Sequence, residues 1–91
     1  MKYKVMIVED QTMPRELFEL RIQASEHFEV AISIDNAAVA DIYCLRFPVD
    51  LIMMDVVTRD GESGLDAAER IKRAFPQIKI IIVTSMPECS Y

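Results

Sequence analysis

Three apolar runs in this chain end in residues that could do chemistry together. The run Val5 to Val8 ends in Glu9-Asp10, the run Leu51 to Met54 ends in Asp55, and the run Ile78 to Val83 ends in Thr84-Ser85. If these runs are neighbouring strands, three carboxylates and two hydroxyls meet in one place. At an effective dielectric of about 20, two such charges about 5 Å apart repel by about 3 kcal/mol. The cluster therefore needs a compensating cation or a raised pKa. Hard oxygen ligands suit Mg2+, which keeps several waters and sits beside phosphate oxygens. A carboxylate nucleophile with Mg2+ and a hydroxyl donor is the equipment for phosphoryl transfer to an aspartate.

The elements that must position these groups follow from the patterning. A short apolar run without polar alternation reads as a strand buried on both faces, as in a parallel sheet. Asp50 and Asp55 bracket one such run, about 17 Å apart at strand rise. Open α/β sheets bind ligands beyond the carboxyl ends of their strands, which selects Asp55 for chemistry and leaves Asp50 as a solvated strand start. Phe28, Val30, Ile32 and Ile34 alternate with Glu29, Ala31 and Ser33, a half-exposed strand expected at a sheet edge. Three helical patterns lie between the strands. The first opens at Gln11-Thr12-Met13-Pro14, where Thr12 could cap, and turns Met13, Leu17, Leu20 and Ala24 inward with Arg15, Glu16, Glu19 and Arg21 outside. The second starts from an Asp35 or Asn36 cap and carries Val39, Ile42, Tyr43 and Leu45. The third carries Leu65, Ala68, Ile71 and Phe75 and stops at Pro76. Alternating strands and helices predict an α/β fold with a doubly wound parallel sheet.

Ninety-one residues make one small domain, and 52% apolar content suits a globular core. The net charge is −5, and the adjacent basic pair Lys72-Arg73 lies on a predicted helix. This argues against direct nucleic-acid contact and fits a partner with positive charge, or a bound cation. Cys44 and Cys89 have no metal-binding or redox spacing and read as free thiols of a reducing, cytoplasmic setting. The apolar run after Met1-Lys2-Tyr3-Lys4 is too short for a signal peptide or a membrane span. Both glycines, Gly61 and Gly64, fall in the segment after Asp55, so the shape of that loop matters. His27 reads as a surface residue, and Met6, Met53 and Met54 as core filler.

Val8-Glu9-Asp10, Leu51-Ile52-Met53-Met54-Asp55 and Ile82-Val83-Thr84-Ser85 resemble the three signatures of a bacterial two-component response regulator receiver domain. Their order and spacing match across essentially all of the chain. The resemblance implies a flavodoxin-like doubly wound parallel sheet of strand order 2-1-3-4, with residues 1–91 forming a phosphoacceptor domain incomplete at its C-terminus. It implies that Asp55 accepts a phosphoryl group from a histidine kinase. Mg2+ would be held by Asp10, by Glu9 through water, by Asp55 and by the main-chain carbonyl of Val57. Thr84 would hydrogen-bond the phosphoryl group, and Ser85 would set access to it. Such a domain is a phosphoacceptor that switches an output such as transcription, not an enzyme beyond its own dephosphorylation. Its output would be a partner protein or a DNA-binding helix-turn-helix outside this chain.

Two features depart from the family pattern. Thr58 and Arg59 stand where the family usually has Met-Pro, and Ser63 stands where it usually has Gly, with Gly64 one residue later. The chain also stops at Tyr91, before the family's fifth strand, whose Lys pairs with the phosphoryl group, and before its fifth helix. With those elements missing, the Ile80-Ile81-Ile82-Val83 strand is expected to be an open edge through which copies self-associate. The main competing reading is a pseudo-receiver that keeps the acidic pocket but works by protein contact alone. A phosphatase of haloacid dehalogenase type would need Asp-x-Asp, but Gln11-Thr12 follow Asp10. Nucleotide binding would need a Gly-rich loop after a strand, which is missing.

Overall fold

The computed structural model describes residues 1–56 and 63–83. The apolar runs become four parallel strands: β1 (Tyr3–Val8), β2 (Phe28–Ile34), β3 (Leu51–Asp55) and β4 (Lys79–Val83), in the order β2-β1-β3-β4. This is the expected doubly wound sheet of order 2-1-3-4. Register fixes what meets at the strand ends. Val8 pairs with Ile34 on one side and with Met54 on the other, and Asp55 pairs with Val83. One step beyond the Val8–Met54 pair therefore lie Glu9 and Asp55. A register shift between Val5 and Met6 kinks the β1–β2 pairing, and β2 lies at the edge, as its alternation predicts.

Side chains alternate across the sheet. On one face Met6, Val8, Ile34, Ile52 and Met54 form the main core with residues of α2 (Ala40–Arg46) and α3 (Gly64–Ala74). Met6, Ile52, Met54 and Ile71 are fully buried, and each such side chain contributes about 1.5–3 kcal/mol. On the other face Val5 and Ile7 are buried, and α1 (Thr12–Gln23) packs on β1 and β2. Met53, expected to fill the core with Met6 and Met54, is only partly buried.

The helices keep only part of the inward faces their large apolar residues predict: Ile71 of α3 and Phe75 at its C-terminal cap pack on the core as expected, and the first helix turns a different face. In α1, Met13, Leu17 and Leu20 are exposed, while Pro14, Phe18 and Ile22 are half-buried. Apolar residues run most of the way round this helix, and the row containing Phe18 takes the sheet. Gln11, not Thr12, is the N-cap residue, and its side chain makes no capping hydrogen bond. A single 3-10 turn (Ala37–Val39) precedes α2, and Asn36 caps it by accepting from the Ala38 N–H at 2.8 Å. Small residues make the inner face here: Ala37, Ala40 and Cys44 are buried, whereas Ile42 and Leu45 are exposed. Val39 and Tyr43 pack against that core as expected. In α3 the buried residues are Gly64, Ala67 and Ile71, with Leu65 outside. Small residues let both helices approach the sheet closely.

Several local contacts fix the frame. Arg70 bridges α3 to α2 through Asp41 at 3.3 Å, and Lys4 pairs with Glu29 across β1 and β2. Lys72 ties α3 to the turn that follows it by donating to the carbonyls of Pro76 and Ile78. Asp50 is exposed, as expected, and accepts from the Lys4 N–H at 2.8 Å. Burial, with the charge of Asp41 adding to it, pushes the Cys44 thiol up to about 11, so it is an inert free thiol. His27 is exposed. Among the described residues no helix is long and apolar enough to cross a membrane.

Candidate functional site

The site stands at the carboxyl ends of β1 and β3, the two central strands. Glu9 is 1% exposed and Asp55 3%, and Asp10 is half-buried. One carboxylate oxygen from each of the three lies within 4.8 Å of the other two. The sequence places all three in one pocket, and the fold brings them together.

Glu9 is held on several sides. Its N–H donates to the Ile34 carbonyl at 3.0 Å. Its carbonyl accepts from Arg15 Nη1 at 2.9 Å, and its Oε2 accepts from the Gln11 N–H at 3.2 Å. Oε1 is buried and, among the described residues, has no hydrogen-bond partner. Burial is the main cause that pushes the Glu9 carboxyl up to about 7 from an ordinary 4.5. The Gln11 N–H opposes this, while the charges of Asp55 and Asp10 and a side-chain hydrogen bond with Asp10 add to it. A buried carboxylate oxygen without a partner among the described residues, facing like charges, favours a bound cation or a held proton.

Asp55 is positioned by the start of α3. Ser63 caps that helix by accepting from the Leu65 N–H at 3.1 Å, and the Gly64 N–H donates to the Val56 carbonyl at 2.7 Å. A Cβ on Gly64 would overlap the Asp55 carbonyl oxygen. Gly64, expected in the loop, is thus the first residue of α3, pressed against the strand end that carries Asp55.

Three carboxylates, one with an orphaned buried oxygen, fit a hard divalent cation such as Mg2+. Val57, Thr84 and Ser85, expected at the same site, lie outside the described residues, as do Thr58, Arg59 and Cys89. Arg15, expected on the wet side of α1, instead reaches the site's backbone. The available signal is its place, a cation one turn into the helix that follows the acidic pair.

A family model described as the response regulator receiver domain matches residues 5–91. The oxygen regulatory protein NreC of Staphylococcus haemolyticus is 30% identical over 88 residues, covering 97% of this chain and 41% of that protein. The chain thus spans about two fifths of the length of the curated relatives it matches. Among solved structures, the REC domain of the response regulator PhyR from Erythrobacter litoralis superposes with a TM-score of 0.82 at 26% identity, covering 97% of this chain and 67% of that one. A LuxR-family two-component response regulator from Aurantimonas shares the fold, with a TM-score of 0.84 at 21% identity over 94% of this chain and 61% of that one.

Proposed function

The chain belongs to the response regulator receiver domain family, and we propose that residues 1–91 form a phosphoacceptor unit that takes a phosphoryl group on Asp55 from a histidine kinase. The observation that carries this reading is the meeting of Glu9, Asp10 and Asp55 carboxylate oxygens within 4.8 Å at the ends of the two central strands. The Asp55 carboxylate is the nucleophile: its oxygen forms the new P–O bond as the P–N bond of a phosphohistidine breaks, and the imidazole leaves with a proton. Glu9 and Asp10 would hold Mg2+ beside it, and that ion would supply charge neutralisation for the transferring oxygens. The Val57 carbonyl as a further ligand, Thr84 as the phosphoryl hydrogen-bond donor and Ser85 at the access route carry over from the family pattern. Gly64 lets α3 start against the Asp55 main chain, which fixes the acceptor. The unit is a signalling domain, and hydrolysis of its own acyl phosphate is its only chemistry beyond acceptance.

The output is a partner domain or protein controlled by the phosphorylated state, with a DNA-binding helix-turn-helix as the expected form. The relative in Staphylococcus haemolyticus carries the name of an oxygen regulatory protein, and control of transcription is the reading we favour for the whole protein here. The 91-residue chain also self-associates through β4. Among the described strands β4 pairs on one side alone, and Ile81 is 50% exposed, which makes it a template for a second strand.

Binding of beryllium fluoride, a tetrahedral phosphoryl mimic, tests the acceptor site by 19F NMR. A bound signal that requires Mg2+ and is lost in Asp55→Asn is expected. A signal independent of both would overturn the reading, and no signal at all would favour the pseudo-receiver.

A further inference from the structure

Arg15 reaches this site without being one of its acidic groups. It lies in α1, is half-buried, and donates from Nη1 to the carbonyl oxygen of Glu9 at 2.9 Å. That carbonyl belongs to the peptide joining Glu9 to Asp10, so its orientation sets where the Asp10 Cα stands relative to Glu9. The same residue is pinned from the other side, where the Glu9 N–H donates to the Ile34 carbonyl of β2 at 3.0 Å. A third bond, from the Gln11 N–H to Oε2 at 3.2 Å, holds the side chain. The Arg15 N–H donates to the Gln11 carbonyl at 3.1 Å, which ties the arginine to the turn it braces. Glu9 is thus held by its N–H on a neighbouring strand and by its carbonyl, the oxygen of the Glu9–Asp10 peptide, on the first turn of a helix.

We propose that Arg15 is a positioning residue for the divalent-cation site: its guanidinium locks the Glu9–Asp10 peptide so that both carboxylates face Asp55. The inference rests on the Mg2+ reading given above. In this role Arg15 acts through the Glu9 carbonyl, not as a ligand. It acts as outer-shell partners of metal ligands do, and removing such a partner typically weakens metal binding 10- to 100-fold. A planar guanidinium constrains the carbonyl it binds more tightly than an ammonium on a flexible stem.

The test is a MgCl2 titration of the full chain, read on the backbone amide signals of Asp10 and Gln11, for the wild type, Arg15→Met, Arg15→Lys and Asp10→Asn, with thermal unfolding recorded in EDTA. Arg15→Met is expected to weaken Mg2+ binding by about 10-fold or more, with Arg15→Lys recovering part of the loss. A merely structural arginine would lower the unfolding temperature and leave the Mg2+ affinity unchanged, and that result overturns the proposal. Should Arg15→Met fail to fold, Arg15→Lys decides: weakened Mg2+ binding supports the proposal, and wild-type affinity overturns it. A wild-type chain with no saturable binding sensitive to Asp10→Asn sinks the Mg2+ reading itself, and this inference with it. Wild-type binding that survives in Arg15→Met sinks this inference alone.

Discussion

The carbonyl oxygen of Asp55 occupies the place a Cβ on Gly64 would need. The start of α3 and the candidate phosphoacceptor are therefore packed backbone to backbone, and no other residue fits at Gly64 without moving one of them. Gly64→Ala tests this contact by sign. Helix propensity alone favours the alanine by up to about 1 kcal/mol. Overpacking against backbone costs about 1–3 kcal/mol. A net loss of stability by urea denaturation, with slower phosphorylation of Asp55, is expected, and an unchanged or raised midpoint would show that the strand end yields.

Glu9 makes the metal-free protein sensitive to pH. Its carboxyl is pushed up to about 7 from 4.5, mainly by burial, so the folded state binds this proton more tightly than the unfolded chain does. Its favourable contribution is full below about pH 4.5 and is lost as pH rises to about 7. The loss is roughly 3 kcal/mol. Unfolding free energies in EDTA at pH 5.5 and at pH 8 should differ by about 2 kcal/mol of this, and Glu9→Gln should flatten the dependence. Mg2+ binding displaces the proton, so Mg2+ affinity should fall as pH drops below 7. Equal metal-free stability at both pH values would contradict this assignment.

Among the described strands β4 has one unpaired edge, which predicts concentration-dependent association of the 91-residue chain. Ile81 is exposed on that strand, and a charge there discourages edge pairing. Sedimentation should show oligomers for the wild type and a shift to monomer for Ile81→Lys. A wild type that is monomeric across a wide concentration range would remove the self-association reading and leave the phosphoacceptor reading intact.

The inward faces of the helices give paired predictions. Ile71 is fully buried in α3, whereas Leu65 is 54% exposed. Ile71→Ala should destabilise the fold by about 2–4 kcal/mol, and Leu65→Ala by about 0.5 kcal/mol or less. Ile71 is thus inward as the sequence predicts and Leu65 is not, and equal effects in denaturant unfolding would return Leu65 to the inner face.

Much of the architecture is legible in the amino-acid sequence. The unbroken runs through Ile7 and Ile52, and the alternation from Phe28 to Ile34, announce buried and edge strands because side-chain period is a direct mark of burial. The run through Ile80 announces a strand but not its burial, since Ile81 and Ile82 are exposed among the described residues. The acidic residues at the strand ends then follow from chain direction. The helix faces are less legible, because large apolar residues draw the eye and the close approach of α2 and α3 to the sheet is made by Ala37, Ala40, Cys44, Ala67 and Gly64. In α1, Leu17 and Phe18 are neighbours on adjacent faces, and propensity does not choose between them. Arg15 reads as solvated because a single arginine on a helix usually is. Its target is a main-chain carbonyl, and no side-chain pattern reveals that.

The central claim is that Asp55 accepts a phosphoryl group in a reaction that needs Mg2+. Intact mass after incubation with acetyl phosphate tests it most directly, on the wild type with Mg2+, on the wild type with chelator, and on Asp55→Asn. One labile phosphoryl adduct, present only with both Mg2+ and Asp55, is the predicted result. An adduct that persists in Asp55→Asn or with chelator, or no adduct on the wild type with Mg2+, would contradict the account.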